Sequence, residues 1–139
     1  MEGHGPAGTR GILVVDDDET MLLICRRIFK AKLPDLVITE ANSGEHAIEI
    51  LRGREFDVIL TDFRMGPTNG IDVLAFALQE RPGSIRILMS GFGDPGMIEK
   101  AKERGRIHEF IEKPVSTSEI ERALTRHVID RYLAPARGQ

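Results

Sequence analysis

From Gly11 onward, short apolar runs alternate with longer stretches whose apolar residues recur at helical spacing, the pattern of strands joined by crossover helices. Ile12 to Val15 is an unbroken β-rich run, suited to a strand covered on both faces. Thr20 to Lys32 sets Met21, Ile24, Cys25 and Ile28 on one side and Arg26, Arg27 and Lys30 on the other, and Pro34 stops it. Leu36 to Glu40 predicts a second strand. Ser43 then caps a helix through Leu51 that buries Ala47, Ile50 and Leu51, with Gly53 closing it. Val58 to Thr61 predicts a third strand, followed by a loop with Pro67, the turn pair Asn69-Gly70 and a helix over Ile71 to Gln79. Ile85 to Ser90 predicts a fourth strand. After the loop Gly91-Phe92-Gly93, Asp94-Pro95 reads as cap and first helical position of a helix running towards Arg104. Glu109 to Glu112 predicts a fifth strand ending at Lys113-Pro114. Ser116 or Ser118 caps a last helix in which Ile120, Ala123, Leu124 and Val128 share a face. The fold class is therefore α/β, a doubly wound five-stranded parallel sheet of the form (βα)5.

The length of 139 residues allows one core and no second. Residues 1–9, rich in glycine, read as a flexible lead-in, residues 10–133 as the domain and residues 134–139 as a tail. No apolar run approaches the length of a membrane span, so no membrane insertion is expected. A formal charge of -3 without a clustered basic face gives no reason to expect direct nucleic-acid binding. The single cysteine, Cys25, falls in the apolar run of a helix and reads as a buried, inert thiol that suits the reducing cytoplasm. His46, His108 and His127 sit in predicted helices or at their edges, without a partner motif.

In parallel α/β sheets, ligands bind beyond the carboxyl ends of the strands. Here those ends carry Asp16, Asp17 and Asp18 after the first strand, Asp62 after the third, Ser90 after the fourth and Lys113 after the fifth. Singly, each has an ordinary explanation, and Asp18 reads as a helix cap or a solvated carboxylate. Together they converge on one rim. Carboxylates about 4 Å apart repel by about 4 kcal/mol per pair at an effective dielectric of 20, so such a cluster calls for a cation. An all-oxygen site with few protein ligands suits Mg²⁺, which shares its coordination with phosphate. A lysine and a hydroxyl facing the metal would meet phosphate oxygens. Phosphoryl transfer needs positioning and charge neutralisation more than a base, and a carboxylate serves as nucleophile by forming an acyl phosphate.

The chain resembles the receiver domain of bacterial two-component response regulators over Arg10 to Leu133. Ile12 to Asp17 is similar to that family's first strand and acidic pair, and Val58 to Met65 to its phosphoacceptor segment. Asn69-Gly70 resembles the following turn, Leu88 to Gly91 the fourth strand with hydroxyl and small residue, and Phe110 to Pro114 the Lys-Pro element. The resemblance implies a flavodoxin-like three-layer sandwich. Asp62 would accept a phosphoryl group from a phosphohistidine on a sensor histidine kinase or phosphotransfer protein. Asp17, Asp62 and the backbone carbonyl of Arg64 would hold Mg²⁺, with Asp16 assisting. Ser90 and Lys113 would contact phosphoryl oxygens, and Phe110 would turn inward as Ser90 moves. The fourth helix, fifth strand and fifth helix would signal to a downstream effector and could support a homodimer. Arg64 and Phe92, each two residues past Asp62 and Ser90, would tune the lifetime of the phosphoryl group. The implied activity is self-phosphorylation and slow self-dephosphorylation, not turnover of a substrate. One departure stands out: where the family usually has proline after the methionine, Met65 is followed by Gly66 and then Pro67.

Two rivals come from other classes. Asp16 to Thr20 also reads as the Asp-x-Asp-x-Thr motif of haloacid dehalogenase-like phosphatases, with Asp16 as nucleophile, but no acidic pair follows Lys113 and Asp62 is left unexplained. A pseudo-receiver that keeps the fold without the chemistry is opposed by the intact Asp16, Asp17, Asp62, Ser90 and Lys113. Either a free-standing regulator or a module of a hybrid kinase or larger regulator fits the sequence.

Overall fold

The computed structural model describes residues 11–91, 95–113, 117–124 and 126–127. Five strands, β1 (Ile12–Val15), β2 (Ile38–Ala41), β3 (Val58–Asp62), β4 (Ile85–Ser90) and β5 (Glu109–Glu112), alternate with helices α1 (Glu19–Lys32), α2 (Gly44–Gly53), α3 (Gly70–Glu80), α4 (Pro95–Lys100) and α5 (Thr117–Leu124). All neighbouring strands pair in parallel, in the order β2-β1-β3-β4-β5. The order reverses direction beside β1, and ligands of such sheets bind at that switch point, at the carboxyl ends of β1 and β3.

Strand alternation divides the core in two. Ile12, Val14, Val58, Leu60, Ile87, Met89 and Ile111 pack with residues of α1 and with Ala123 of α5. Leu13, Val15, Ile59 and Leu88 pack with α2, α3, Met97 and Ala101 on the other face. A strand buried on both sides must be apolar throughout, which is why β1 and most of β3 and β4 read as continuous runs.

The predicted boundaries hold for β1, β4 and β5 and shift elsewhere for local reasons. β2 begins later than Leu36 because the Leu36 N–H bonds back to the Leu33 carbonyl, at 3.0 Å, and the chain joins β1 only where Ile38 meets Ile12. Ile50 is only partly buried, with Ala47 and Leu51 filling the core beneath α2. Asn69-Gly70 is a helix start and not a free-standing turn. The Asn69 side chain accepts from the Asp72 N–H and the Asp72 carboxylate accepts from the Asn69 N–H, a reciprocal cap with Gly70 as the first helical residue. Asp18 caps α1 by accepting from the Thr20 N–H at 2.9 Å, and Ser43 caps α2 through the His46 N–H. α4 does not continue as an α-helix to Arg104: it widens into a π-helical turn over Ala101–Gly105, ended by Arg106 in the left-handed conformation at φ 46°. Ser118 lies inside α5 and so is not its cap. Asp94, Ser116 and Val128 lie outside the described residues, as do residues 1–9 and 134–139. No helix among the described residues is long and apolar enough to cross a membrane.

Two features had no counterpart in the sequence reading. Arg86 is buried in β4, where its guanidinium donates to the carbonyls of Pro82, Ser84, Gly105 and Arg106. It thereby ties the end of the π-helical turn to the start of β4. His108 accepts the Arg86 N–H at Nδ1, and His127 lies 2.8 Å from Glu109, so both histidines have partners that local sequence did not reveal.

Candidate functional site

The same alternation that builds the core sorts the polar rim. Asp16, Asp62 and Lys113 continue the set of β1, β3 and β5 positions that face α1 and α5, whereas Ser90 and Phe110 fall on the set facing α3 and α4. The first three residues accordingly meet. Asp16, Asp17 and Asp62 each offer a carboxylate oxygen, all within 4.8 Å of one another. The Lys113 ammonium reaches both buried carboxylates, at 3.1 Å from Asp16 and 3.0 Å from Asp62. Asp17 is exposed and opens the cluster to solvent.

Each group is held in place. The second oxygen of Asp16 accepts from the Asp18 N–H at 2.9 Å, closing the turn into α1. Asp62 ends β3, where the following Phe63 N–H donates to Met89 and the Thr61 hydroxyl donates to the Asp62 carbonyl. Gly70 packs directly against that carbonyl, so closely that a Cβ there would run into it. The backbone of Lys113 donates to Ser90 at 2.6 Å, joining the ends of β4 and β5.

Burial pushes the Asp16 carboxyl up to about 6, aided by the Asp62 charge and restrained by the Asp18 N–H and Lys113. Asp62 is also raised, chiefly by burial, against the pull of Lys113. At Lys113 burial acts downward, but the two carboxylates outweigh it and hold the ammonium charged above its ordinary range. Three carboxylates and one ammonium leave the cluster two negative charges in excess when all are ionised. A carboxyl whose pKa is raised on folding binds its proton more tightly in the native chain. The contribution of Asp16 to stability is therefore lowest above pH 6 and rises as pH falls through about 6 towards 3.8, the ordinary value. For Asp16 the gain is at most about 3 kcal/mol. Urea unfolding in chelator should show a more stable protein at pH 5 than at pH 7.5, and Asp16→Asn should remove most of that difference.

Ser90 is buried at the end of β4 and Phe110 is half-buried against the α2–α3–α4 core. Arg64 is exposed, its guanidinium 5.9 Å from the centre of the Phe63 ring, and Phe92 lies outside the described residues. Gly66 adopts φ 108°, a conformation that proline cannot take and that side chains resist, which accounts for glycine between Met65 and Pro67. No atom would obstruct a Cβ there, so Gly66→Ala isolates the backbone cost. We expect a loss of about 1–3 kcal/mol in chemical denaturation. Cys25 is fully buried and its thiol is pushed up to about 12 by burial, in keeping with an inert core residue. Asp18, the second carboxylate of the Asp-x-Asp-x-Thr pattern, caps α1.

Sequence and structure comparisons bear on this site. The family model for the response regulator receiver domain matches residues 12–125. The chemotaxis protein CheY of Thermotoga maritima is 30% identical over 115 residues, covering 83% of this chain and 94% of that protein. The transcriptional regulatory protein ZraR of Escherichia coli O157:H7 is 28% identical over 124 residues; there the match covers 86% of this chain and only 27% of the longer protein. Among solved structures, the signal receiver domain of an HD domain-containing protein from Pseudomonas fluorescens Pf-5 superposes with a TM-score of 0.79 at 26% identity, covering 88% of this chain and 96% of that one. A parallel (βα)5 sheet with acidic residues gathered at its switch point, matched by that family model across nearly all the described residues, places this chain in the response regulator receiver domain family.

Proposed function

We propose that Asp62 is the phosphoacceptor of this receiver domain. The observation that carries the reading is its position: one carboxylate at the end of β3, 3.0 Å from the Lys113 ammonium and clustered with Asp16 and Asp17. Asp16 is less suited to attack, being fully buried and engaged on both oxygens by Asp18 and Lys113.

The donor set fits a hard divalent cation. It is all oxygen, carries excess negative charge, and opens to solvent at Asp17, which leaves room for waters and a phosphate oxygen. Asp17, Asp62 and the Arg64 carbonyl would hold Mg²⁺, with Asp16 assisting directly or through water. The metal would neutralise charge on the transferring phosphoryl group. The chain's own residues do the rest. An Asp62 carboxylate oxygen attacks the phosphorus of a phosphohistidine; the new O–P bond forms as the P–N bond breaks. The bonding electrons remain on the imidazole nitrogen, which takes a proton from solvent. Lys113 stays charged throughout and transfers its contact from the Asp62 carboxylate to a phosphoryl oxygen.

The modified side chain carries about 1.5 to 2 negative charges and new acceptor oxygens. Ser90 supplies a hydroxyl for one of them, and Phe110, on the same sheet face, follows Ser90 inward. The altered surface of α4, β5 and α5 then engages an effector or a second copy of the chain, because contacts present in one state alone shift the balance between states. Arg64 and Phe92 set how readily water reaches the acyl phosphate. The phosphoryl donor is a cytoplasmic sensor kinase or phosphotransfer protein, and residues 10–133 form the unit that receives from it.

Incubation with a small acyl phosphate and Mg²⁺, followed by proteolysis and mass measurement, tests the reading. One phosphate should appear on the peptide carrying Asp62, and chelation of the metal should prevent its appearance. Label on a different residue would overturn the assignment.

A further inference from the structure

Beside the acidic cluster, on the sheet face that carries Ser90, an open cleft of about 310 Å³ lies between the connection from β3 to α3 and helix α4, with Ser90 in its wall. Its lining joins two chemistries: Phe63, Ile71 and Met97 are apolar, whereas Arg64, Lys100 and Arg104 are cationic. Arg64 and Lys100 are exposed and make no ion pair among the described residues. Arg104 meets Asp72 at 3.2 Å, but that pair is half exposed, and such surface contacts contribute at most about 1 kcal/mol. The widened turn after α4 carries Arg104 one turn beyond Lys100, so both border the same opening. In a chain whose formal charge is -3, three cations thus gather on one rim.

We propose that the cleft receives an acidic peptide segment of a partner protein, with one apolar side chain entering among Phe63, Ile71 and Met97 while flanking carboxylates meet Arg64, Lys100 and Arg104. A bare inorganic anion would use the rim and leave the apolar lining unfilled. A nucleotide is also a poorer fit: the volume is at the lower end of the range of about 300–1,000 Å³ for ligand pockets, and the Phe63 ring is already faced by Arg64. Guanidinium and ammonium groups around an apolar hollow instead match a short segment that alternates carboxylates with an aliphatic anchor.

The test is amide chemical-shift mapping on the full chain with the capped peptide Glu-Glu-Leu-Glu-Glu as probe. Resonances of Asn69, Met97, Lys100 and Arg104 should move, with a dissociation constant of about 1 mM. Replacing the central leucine by serine, or every glutamate by lysine, should weaken the response about tenfold or more. The charge-reversed pair Lys100→Glu with Arg104→Glu should do the same, and the milder pair Lys100→Gln with Arg104→Gln should weaken it less, each with unchanged far-UV dichroism. The proposal is overturned if these resonances stay still at about 10 mM probe, a concentration at which even a millimolar complex is nearly saturated. It is equally overturned if the lysine peptide moves them as far, if inorganic phosphate reproduces the full pattern, or if neither pair of substitutions weakens the response.

Discussion

Asp62→Asn is expected to lower phosphoryl uptake at least about a hundredfold, the scale seen when an enzyme loses its nucleophile. Asparagine matches aspartate in shape, and it occupies the end of β3 without disturbing the Phe63 to Met89 and Thr61 to Asp62 hydrogen bonds, which are made by backbone groups and the Thr61 hydroxyl. What it removes is a charged oxygen. The amide oxygen that replaces it is a poor nucleophile and a weaker partner for Lys113, which would retain only Asp16. The neighbours are poor substitutes. Asp16 is buried and fixed by the Asp18 N–H, and Lys113 forms its ion pairs among the described residues with Asp16 and Asp62, not with the exposed Asp17. Asp16→Asn, by contrast, should reduce uptake without abolishing it, since Asp17, Asp62 and Lys113 all remain. The measurement is the mass of the intact chain after exposure to acyl phosphate and Mg²⁺, with thermal unfolding to show that both variants stay folded. Full labelling of Asp62→Asn would make another residue the acceptor.

The distribution of these groups was legible in the sequence to different depths. Continuous apolar runs such as Ile12 to Val15 announced strands buried on both faces, and the acidic and basic residues just past those runs announced the rim. The period of two within each strand also carried the face assignment: Asp62 shares parity with Val58 and Leu60, and Ser90 with Leu88. What local pattern does not carry is contact between distant segments. Arg86 in β4 looks like an interruption of an apolar strand until the carbonyls at the end of the π-helical turn are brought to it by the fold. The same holds for His127, whose partner Glu109 is 18 residues away. The helix after β4 widens where its last turn brings Gly105 close to Leu74 of α3, a contact between distant segments that helical periodicity does not announce. Asn69-Gly70 illustrates a different limit. The pair suits a turn and a helix start alike, and only the reciprocal bond with Asp72 decides between them.

Gly70 is where this limit has its largest consequence, and Gly70→Ala is expected to destabilise the protein by about 2–3 kcal/mol despite improving helix propensity. Alanine in place of glycine inside a helix ordinarily gains up to about 1 kcal/mol. At Gly70 the added methyl would collide with the Asp62 carbonyl oxygen and press on the carbonyl carbon at 2.9 Å and Leu88 Cδ1 at 3.0 Å. The leucine methyl can yield. The Asp62 backbone cannot move alone, because β3 is paired on both sides, with β1 and β4, and the Thr61 hydroxyl holds the same carbonyl. Relief must come from lifting the start of α3, which strains the Asn69 cap, or from displacing the strand end that carries Asp62. Either movement shifts the carboxylate relative to Lys113, so slower phosphoryl uptake should accompany the lost stability. Gly53→Ala provides the comparison: Gly53 ends α2, a Cβ there meets nothing within 4 Å, and the substitution should be neutral or mildly stabilising. Urea midpoints of the two variants separate close packing from helix propensity. Should Gly70→Ala prove as stable as the parent, close contact with Asp62 is not what requires glycine at the head of α3.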